Sequence, residues 1–563
     1  MHRLNALLGG WTPDSDGVIF IEQTPGAIIL LTAADTDIQS LAATFPHLPP
    51  NFATLRVVNL LNLQQPLSID HYAEKVLQDA QIIILRLLGG RAYWSYGLEV
   101  LKALALAKGI SLWVLPGDDR PDLELMSHST VTLSQVDRLW QYCREGGLEN
   151  WRNGLQWLSN LCLKTDYSCL PPQRVPNVGL YSGNFQFSRL SVTEPIQTQP
   201  TVGILFYRSH YLAGNTLVID ALCEAIAAHQ LIPIPVFVSS LRDAEVQEGV
   251  LKYFQASAES AVQVVLNTTS FSLAKLERQG SSEEIIPLWQ SLDVPILQVI
   301  LSGGTLDHWQ ESQQGLNPRD LAMNIALPEV DGRIITRAIS FKAVQQWHEQ
   351  LETDVVIYQP VRDRLEFVVN LAANWVKCRQ TPIAERKIAL ILANYPNKDG
   401  RLANGVGLDT PVSCLNILNA LKAEGYSIEN IPATSEDLMQ LLTSGVTNDL
   451  DSRAWRKVHQ VLDQSTFQAY FQTLPENIKT AISDRWSELG NLEEQVSRKG
   501  IPIPGIQLGN IFIGIQPSRG YDLDPSLNYH APDLEPTPAY LAFYYWLKTE
   551  FAAQAIIDRK SVV

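Results

Sequence analysis

Between the apolar run TVGILF and the helical pattern TLVIDALCEAIAAH lies YRSHYLAGNT, Tyr207 to Thr216. Arg208 is a fixed cation, and His210 can exchange a proton near neutral pH. Tyr211 accompanies them. Gly214, Asn215 and Thr216 occupy a strand-to-helix junction, where backbone N–H groups and a helix N-terminus can receive an anionic group. A plain helix cap and a histidine packed on the loop would account for the same residues. Two later apolar runs end in NTTS, residues 267–270, which includes Thr268, and SGGT, residues 302–305. Such small polar residues serve turns as readily as ligands. If the three runs are parallel strands of one sheet, their loops face one edge, where α/β sheets bind ligands.

Other loops carry mixed charge. ANYPNKDGRLANGVGLDTP, residues 393–411, holds Lys398, Asp399, Arg401 and Asp409 before a helix, but GxxxxGK[ST] is absent and no nucleotide site is read there. The Pro-rich loop in IQPSRGYDLDPSLNYHAPDLEPTPAYLAFYYWL gathers Arg519, Tyr521 and His530 with Asp522, Asp524 and Asp533. A loop of that length and composition is more often functional than a simple connector. The aromatic residues after it, Tyr540, Phe543, Tyr544 and Trp546, have helical spacing and are expected to pack in a core. The acidic stretches ADTD, residues 34–37, and GDDRPD, residues 117–122, offer carboxylates to a hard cation, although helix capping is the expected role.

The elements that would position these residues are α/β units. VIFIEQ, AIILLT, LRVVNLL, QIIILRLL and ISLWVLP read as strands, with helices through SIDHYAEKVLQDA and YGLEVLKALALAKG. Strands alternating with helices predict parallel βαβ units. The expected fold class is α/β, with several open, mostly parallel sheets and flanking helices. The expected domains are an N-terminal α/β domain over 1–128, a helical segment with a Pro-rich linker over 129–195, a second α/β domain over 196–380, and a third over 381–557. The third has a helical insertion near 435–497.

Composition narrows the class. With 563 residues, 46% hydrophobic and 18% charged, the chain can bury about three or four cores. A net charge of −16 opposes binding to nucleic acid or an anionic membrane surface. The six cysteines lack CxxC spacing, which points to reduced thiols and a cytoplasmic location. No apolar run approaches the about twenty residues of a membrane span, so integral membrane contact is not expected.

The phrases LLTAADTD, LRLLGGRAYWSYGLE, LPGDDRPDLELMSHSTV, FYRSHYLAGNT, LNTTSFS, ANYPNKDGRLANGVGLDTP and QPSRGYDLDPSLNYHAPDLEPTPAYLAFYYWL resemble the family that contains CobN, the large component of aerobic cobaltochelatase, and the H component of magnesium chelatase. The resemblance runs from near the start to about Ile557. It implies a tetrapyrrole-binding subunit that inserts Co²⁺ into hydrogenobyrinic acid a,c-diamide for cobalamin biosynthesis, with ATP hydrolysed by partner AAA+ motor subunits. Insertion of Mg²⁺ into protoporphyrin IX is the alternative within the family, and a non-catalytic tetrapyrrole-binding or motor-docking fragment is the alternative of another class. On this basis His210 and His530 are the expected catalytic residues, taking pyrrole protons or touching the metal in transit. Arg208, Tyr211, Asn215, Thr268, Arg519 and Tyr521 are expected to bind the tetrapyrrole. Resident metal ligands stay unassigned. Family members continue beyond this point into a His- and Gly-rich segment, so the third domain is expected to be incomplete and the fragment alone inactive. DRKSVV, residues 558–563, is expected to be a non-native tail, since the codons that would encode it, gat cgg aag agc gtc gtg, match a common sequencing adapter.

Overall fold

Ile-, Leu- and Val-rich runs become strands in the computed structural model, which describes residues 17–117, 120–183, 199–255, 261–273, 287–394, 397–405, 407–449, 451, 455–487, 500–520 and 534–559. Two compact units divide the chain, Met1–Val376 and Lys377–Val563. Among the described residues, three larger sheets and two two-stranded pairs are formed.

In the first unit, β1 (Ile28–Thr32), β2 (Leu55–Asn59), β3 (Ile82–Leu87) and β4 (Ser111–Pro116) make a parallel sheet in the order β2-β1-β3-β4. Helices cover both faces, which is why β1 and β3 are apolar throughout apart from their ends. Helices Pro66–Lys75 and Ser95–Lys108 pack on one face. Asp35–Thr44, Leu133–Glu145 and Gly147–Leu163 pack on the other. A capping box between Thr132 and Gln135 starts the second of these. The expected strand VIFIEQ does not form. The outer edge of β2 is already taken where Val57 N–H donates to the Leu351 carbonyl at 3.1 Å and the Gln23 side chain donates to the Val57 carbonyl at 3.2 Å.

The second sheet has seven strands: β5 (Val178–Leu180), β6 (Thr201–Tyr207), β7 (Ile232–Val238), β8 (Val262–Asn267), β9 (Ile296–Leu301), β10 (Ile334–His348) and β11 (Thr353–Pro360). Their order is β11-β10-β9-β8-β6-β7-β5, parallel except for the two edge strands. β5 lies within the stretch read as a linker and closes an edge. The turn between β10 and β11 reaches the first sheet, where Leu351 joins its core and Glu352 pairs with Arg56 at 3.0 Å. On central β6, Gly203 makes room for the Phe254 ring: a Cβ there would lie 2.7 Å from its Cζ. Gly203→Ala is expected to lower stability by about 1–3 kcal/mol through overpacking, read as a lower urea midpoint.

In the second unit, β12 (Ile388–Leu392) is followed by the short pair β13 (Asn404–Gly405) and β14 (Leu408–Asp409). β15 (Gln460–Leu462) pairs with β16 (Ile501–Ile503). β17 (Gly505–Leu508), β18 (Ile511–Ile515) and β19 (Ala555–Arg559) complete a sheet ordered β17-β18-β12-β19, with only β17 antiparallel. The insertion holds helices Ser435–Ser444, Gln464–Gln472 and Glu476–Ser487. The aromatic helix Pro538–Thr549 packs Phe543 and Trp546 around Phe512, as its spacing predicts. β19 continues through Asp558 and Arg559, which pair with Ile391 and Leu392, so the ladder runs two residues into the stretch read as a tail. Among the described residues, no helix is long and apolar enough to cross a membrane.

Candidate functional site

Both sheets of the first unit contain a reversal in strand order. β6 lies between β7 and β8, and β1 lies between β2 and β3. Loops diverge at such points and leave a crevice beyond the strand ends. Here the two crevices share a chamber of about 90 Å³, lined by Asp35 and Asp37 after β1, Arg86 on β3, His210 after β6, Lys342 on β10 and Tyr358 on β11.

The chamber is polar and tightly held. Asp37 accepts from Thr32 Oγ1 at 2.8 Å and forms a buried ion pair with Arg86. Asp35 pairs with Lys342 Nζ at 2.6 Å. The expectation that ADTD caps a helix is therefore corrected: Ala34 is the N-cap of Asp35–Thr44, without a side-chain bond, and both aspartates serve ion pairs. His210 is 5% exposed, its ring centroid 5.4 Å from that of Tyr358 and 6.2 Å from that of Tyr207. Asn215 N–H donates to the His210 carbonyl at 2.9 Å, and Asn215 Oδ1 accepts from the Tyr358 N–H at 3.4 Å. Asn215 thus ties the His210 loop to β11. Two carboxylates are countered by two cations, so the imidazole is the lining group suited to changing charge near neutral pH.

Sequence reasoning missed Arg86, Lys342 and Tyr358. A charge inside the otherwise apolar run IIILRL was the available signal for Arg86, because a buried charge needs a partner.

The remaining expected binding residues have architectural contacts. Arg208 donates to the carbonyls of Pro176 at 2.9 Å, Val175 at 3.0 Å and Arg144 at 3.2 Å, and pairs with Glu145 at 3.2 Å. It fastens the end of the helix Leu133–Glu145 to the segment that leads into β5. The Thr268 N–H and hydroxyl both donate to the Leu205 carbonyl at 2.9 Å, joining β8 to β6. Tyr211 is 37% exposed and stacks on Phe237 with centroids 4.3 Å apart. The NTTS and SGGT loops do emerge at the same edge as His210. A buried network fixes them: Arg333 donates to the carbonyls of Thr269 and Phe271 and to Asp331, and Asp320 accepts from Ser302 and Gly303.

An open cleft of about 1510 Å³ adjoins the chamber, sharing Tyr207, Arg208, Arg144 and Ser239 with it. Ligand pockets commonly measure about 300–1,000 Å³, so the cleft exceeds the usual volume of a small-molecule site. Arg120, Arg174 and Arg242 also line it.

In the second unit, Asp399 accepts from Thr447 at 2.7 Å and pairs with Arg456, while Lys398 pairs with Asp451 at 2.7 Å. Asp409 caps Thr410–Ala423. Arg519 is exposed. Tyr521 and His530 lie outside the described residues, as do Asp118 and Asp119 of GDDRPD. Asp122 of that stretch does cap a helix, accepting from Leu125 N–H at 2.9 Å. Among the described residues, no three or more His, Cys, Asp or Glu side chains are grouped to hold a metal.

Cys143 also lines the chamber, and burial pushes its thiol from 9.0 up to about 12. Its folded-state value lies above the unfolded one, so this contribution to stability is complete below about pH 9 and is lost as pH climbs toward 12. Urea titrations should show the decline, with Cys143→Ala flattening it. At pH 8 a thiol reagent should label half-buried Cys169 and Cys378 before Cys143.

A family model described as CobN/Magnesium Chelatase matches residues 140–559. The chain is 41% identical over 560 residues to the aerobic cobaltochelatase component CobN of Pseudomonas aeruginosa, covering 99% of this chain and 44% of that protein. It is 27% identical over 399 residues to the H component of magnesium chelatase from Rhodobacter capsulatus, covering 69% of this chain and 32% of that one. The structure matches the catalytic subunit of cobaltochelatase from Mycobacterium tuberculosis with a TM-score of 0.68 at 28% identity, covering 95% of this chain and 43% of that chain. The chain thus spans less than half the length of these relatives.

Proposed function

The chain belongs to the CobN/magnesium chelatase family, and from that premise we propose that it carries the tetrapyrrole-binding part of a cytoplasmic, ATP-dependent cobaltochelatase. The substrates are Co²⁺ and hydrogenobyrinic acid a,c-diamide, and AAA+ partner subunits hydrolyse the ATP. One observation carries the choice of cobalt. Similarity to CobN covers 99% of the chain, including the residues before 140 that lie outside the family model and supply Asp35, Asp37 and Arg86 to the chamber.

Insertion of the cation displaces the acidic inner N–H proton of the corrin ring, and that proton needs an acceptor. In this reading the macrocycle lies in the large cleft and His210 accepts a proton from the chamber side. The Asp35–Lys342 and Asp37–Arg86 pairs supply fixed charge that solvates the imidazolium without reorganising. Arg208 and Thr268 position the loops, and Asn215 holds the His210 loop. Tyr211, which stacks on Phe237, is assigned to tetrapyrrole binding through its exposed ring. Within the second unit, His530 is assigned a catalytic role, and Arg519 and Tyr521 are assigned to tetrapyrrole binding.

Set within a full-length subunit and combined with its motor subunits and ATP, the chain is expected to support Co²⁺ insertion into hydrogenobyrinic acid a,c-diamide and to leave Mg²⁺ insertion into protoporphyrin IX at background. The opposite preference would overturn the cobalt assignment. Binding of the corrin precursor without any insertion would assign the chain a binding role alone.

A further inference from the structure

The chain is strongly acidic, with 59 Asp and Glu against 43 Lys and Arg. The large cleft departs from that balance: five arginines line it, Arg120, Arg144, Arg174, Arg208 and Arg242, against three acids. The acids are committed. Glu145 pairs with Arg144 and Arg208, while Asp122 and Asp243 cap the helices Leu123–Met126 and Ala244–Phe254. Arg208 is spent on backbone carbonyls, and Arg242 gives Nε and Nη2 to the Ser272 carbonyl at 3.0 and 2.8 Å. Arg120 and Arg174 differ. Both are exposed, and neither makes a hydrogen bond or ion pair with a described residue.

A guanidinium held open in a cleft is suited to a carboxylate, which it can grip through two parallel N–H donors. An anionic guest approaching a chain of net charge −16 is repelled at long range and needs a local positive field to enter. Resting on the tetrapyrrole reading above, we propose that Arg120 and Arg174 bind the free peripheral carboxylates of the macrocycle. Their contacts orient the ring in the cleft and discriminate a polyacid from a neutral ring of the same shape.

The test is a fluorescence-quenching titration of the chain with hydrogenobyrinic acid a,c-diamide and with its fully methyl-esterified form, at low and high salt. The wild-type chain should bind the acid at least tenfold more tightly than the ester, with an affinity that falls as salt rises. Arg120→Gln/Arg174→Gln should lose most of that preference and leave ester binding unchanged. Both positions are exposed, so the fold is retained, which a urea midpoint equal to wild type verifies. Equal wild-type affinity for acid and ester overturns the proposal without any variant. Tight, salt-sensitive acid binding that the double variant retains also overturns it and leaves the tetrapyrrole reading standing. Failure of the wild-type chain to bind either ring overturns that reading and the proposal together.

Discussion

Asp331→Ala is expected to destabilise the first unit by about 3–5 kcal/mol, the cost of leaving a buried charge without its partner. The Asp331 and Arg333 side chains are 0% and 1% exposed, and their ion pair measures 2.6 Å. Asp331 also accepts from Ser272 Oγ at 2.6 Å and from the Leu273 N–H at 2.8 Å. Arg333 in turn holds the Thr269 and Phe271 carbonyls, so one deletion releases residues 269–273 after β8. Burial already depresses the Arg333 pKa and the Asp331 carboxylate opposes that shift. Removal of the carboxylate takes away the largest interaction that opposes burial. Asp331→Ala/Arg333→Met removes both charges and should recover part of the loss. Urea unfolding of the two variants decides the point, and a loss below about 1 kcal/mol for Asp331→Ala would show that the pair carries little.

His210→Ala is expected to lower the metal-insertion rate of the assembled chelatase by about 10²–10⁴, the range of a positioned general base. Tetrapyrrole affinity should change only a few-fold, since His210 lines the chamber and is absent from the lining of the cleft. His210→Gln fills similar volume without a titrating imidazole and should show the same rate loss, separating proton transfer from packing. Unchanged rates in both variants would remove His210 from the chemistry.

The convergence of the His210, NTTS and SGGT loops was legible because it follows from local pattern: three apolar runs followed by small polar residues, separated by helices, make parallel strands that end at one edge. The chamber's other half was not. Asp37 and Arg86 are far apart in sequence, and Asp35 meets a lysine from the distant strand β10. Pairing over such separations leaves no local trace, so ADTD looked like a cap. β10 itself escaped notice for a physical reason. Its register shifts between Val344 and Gln346, which breaks the two-residue alternation that marks a strand, and residues 344–347 of its outer half are exposed without regard to polarity. β5 was hidden by its length: three residues inside a Pro-rich stretch pair with β7 without any periodic signal.

The central claim is that the macrocycle sits at the carboxyl edge of the seven-stranded sheet. Amide hydrogen exchange of the chain, with and without hydrogenobyrinic acid a,c-diamide, tests it directly. The account predicts slowed exchange in residues 207–216, 239–245 and 269–273. Protection confined to residues 397–405 and 510–520 of the second unit, or no change in the first unit, would contradict it.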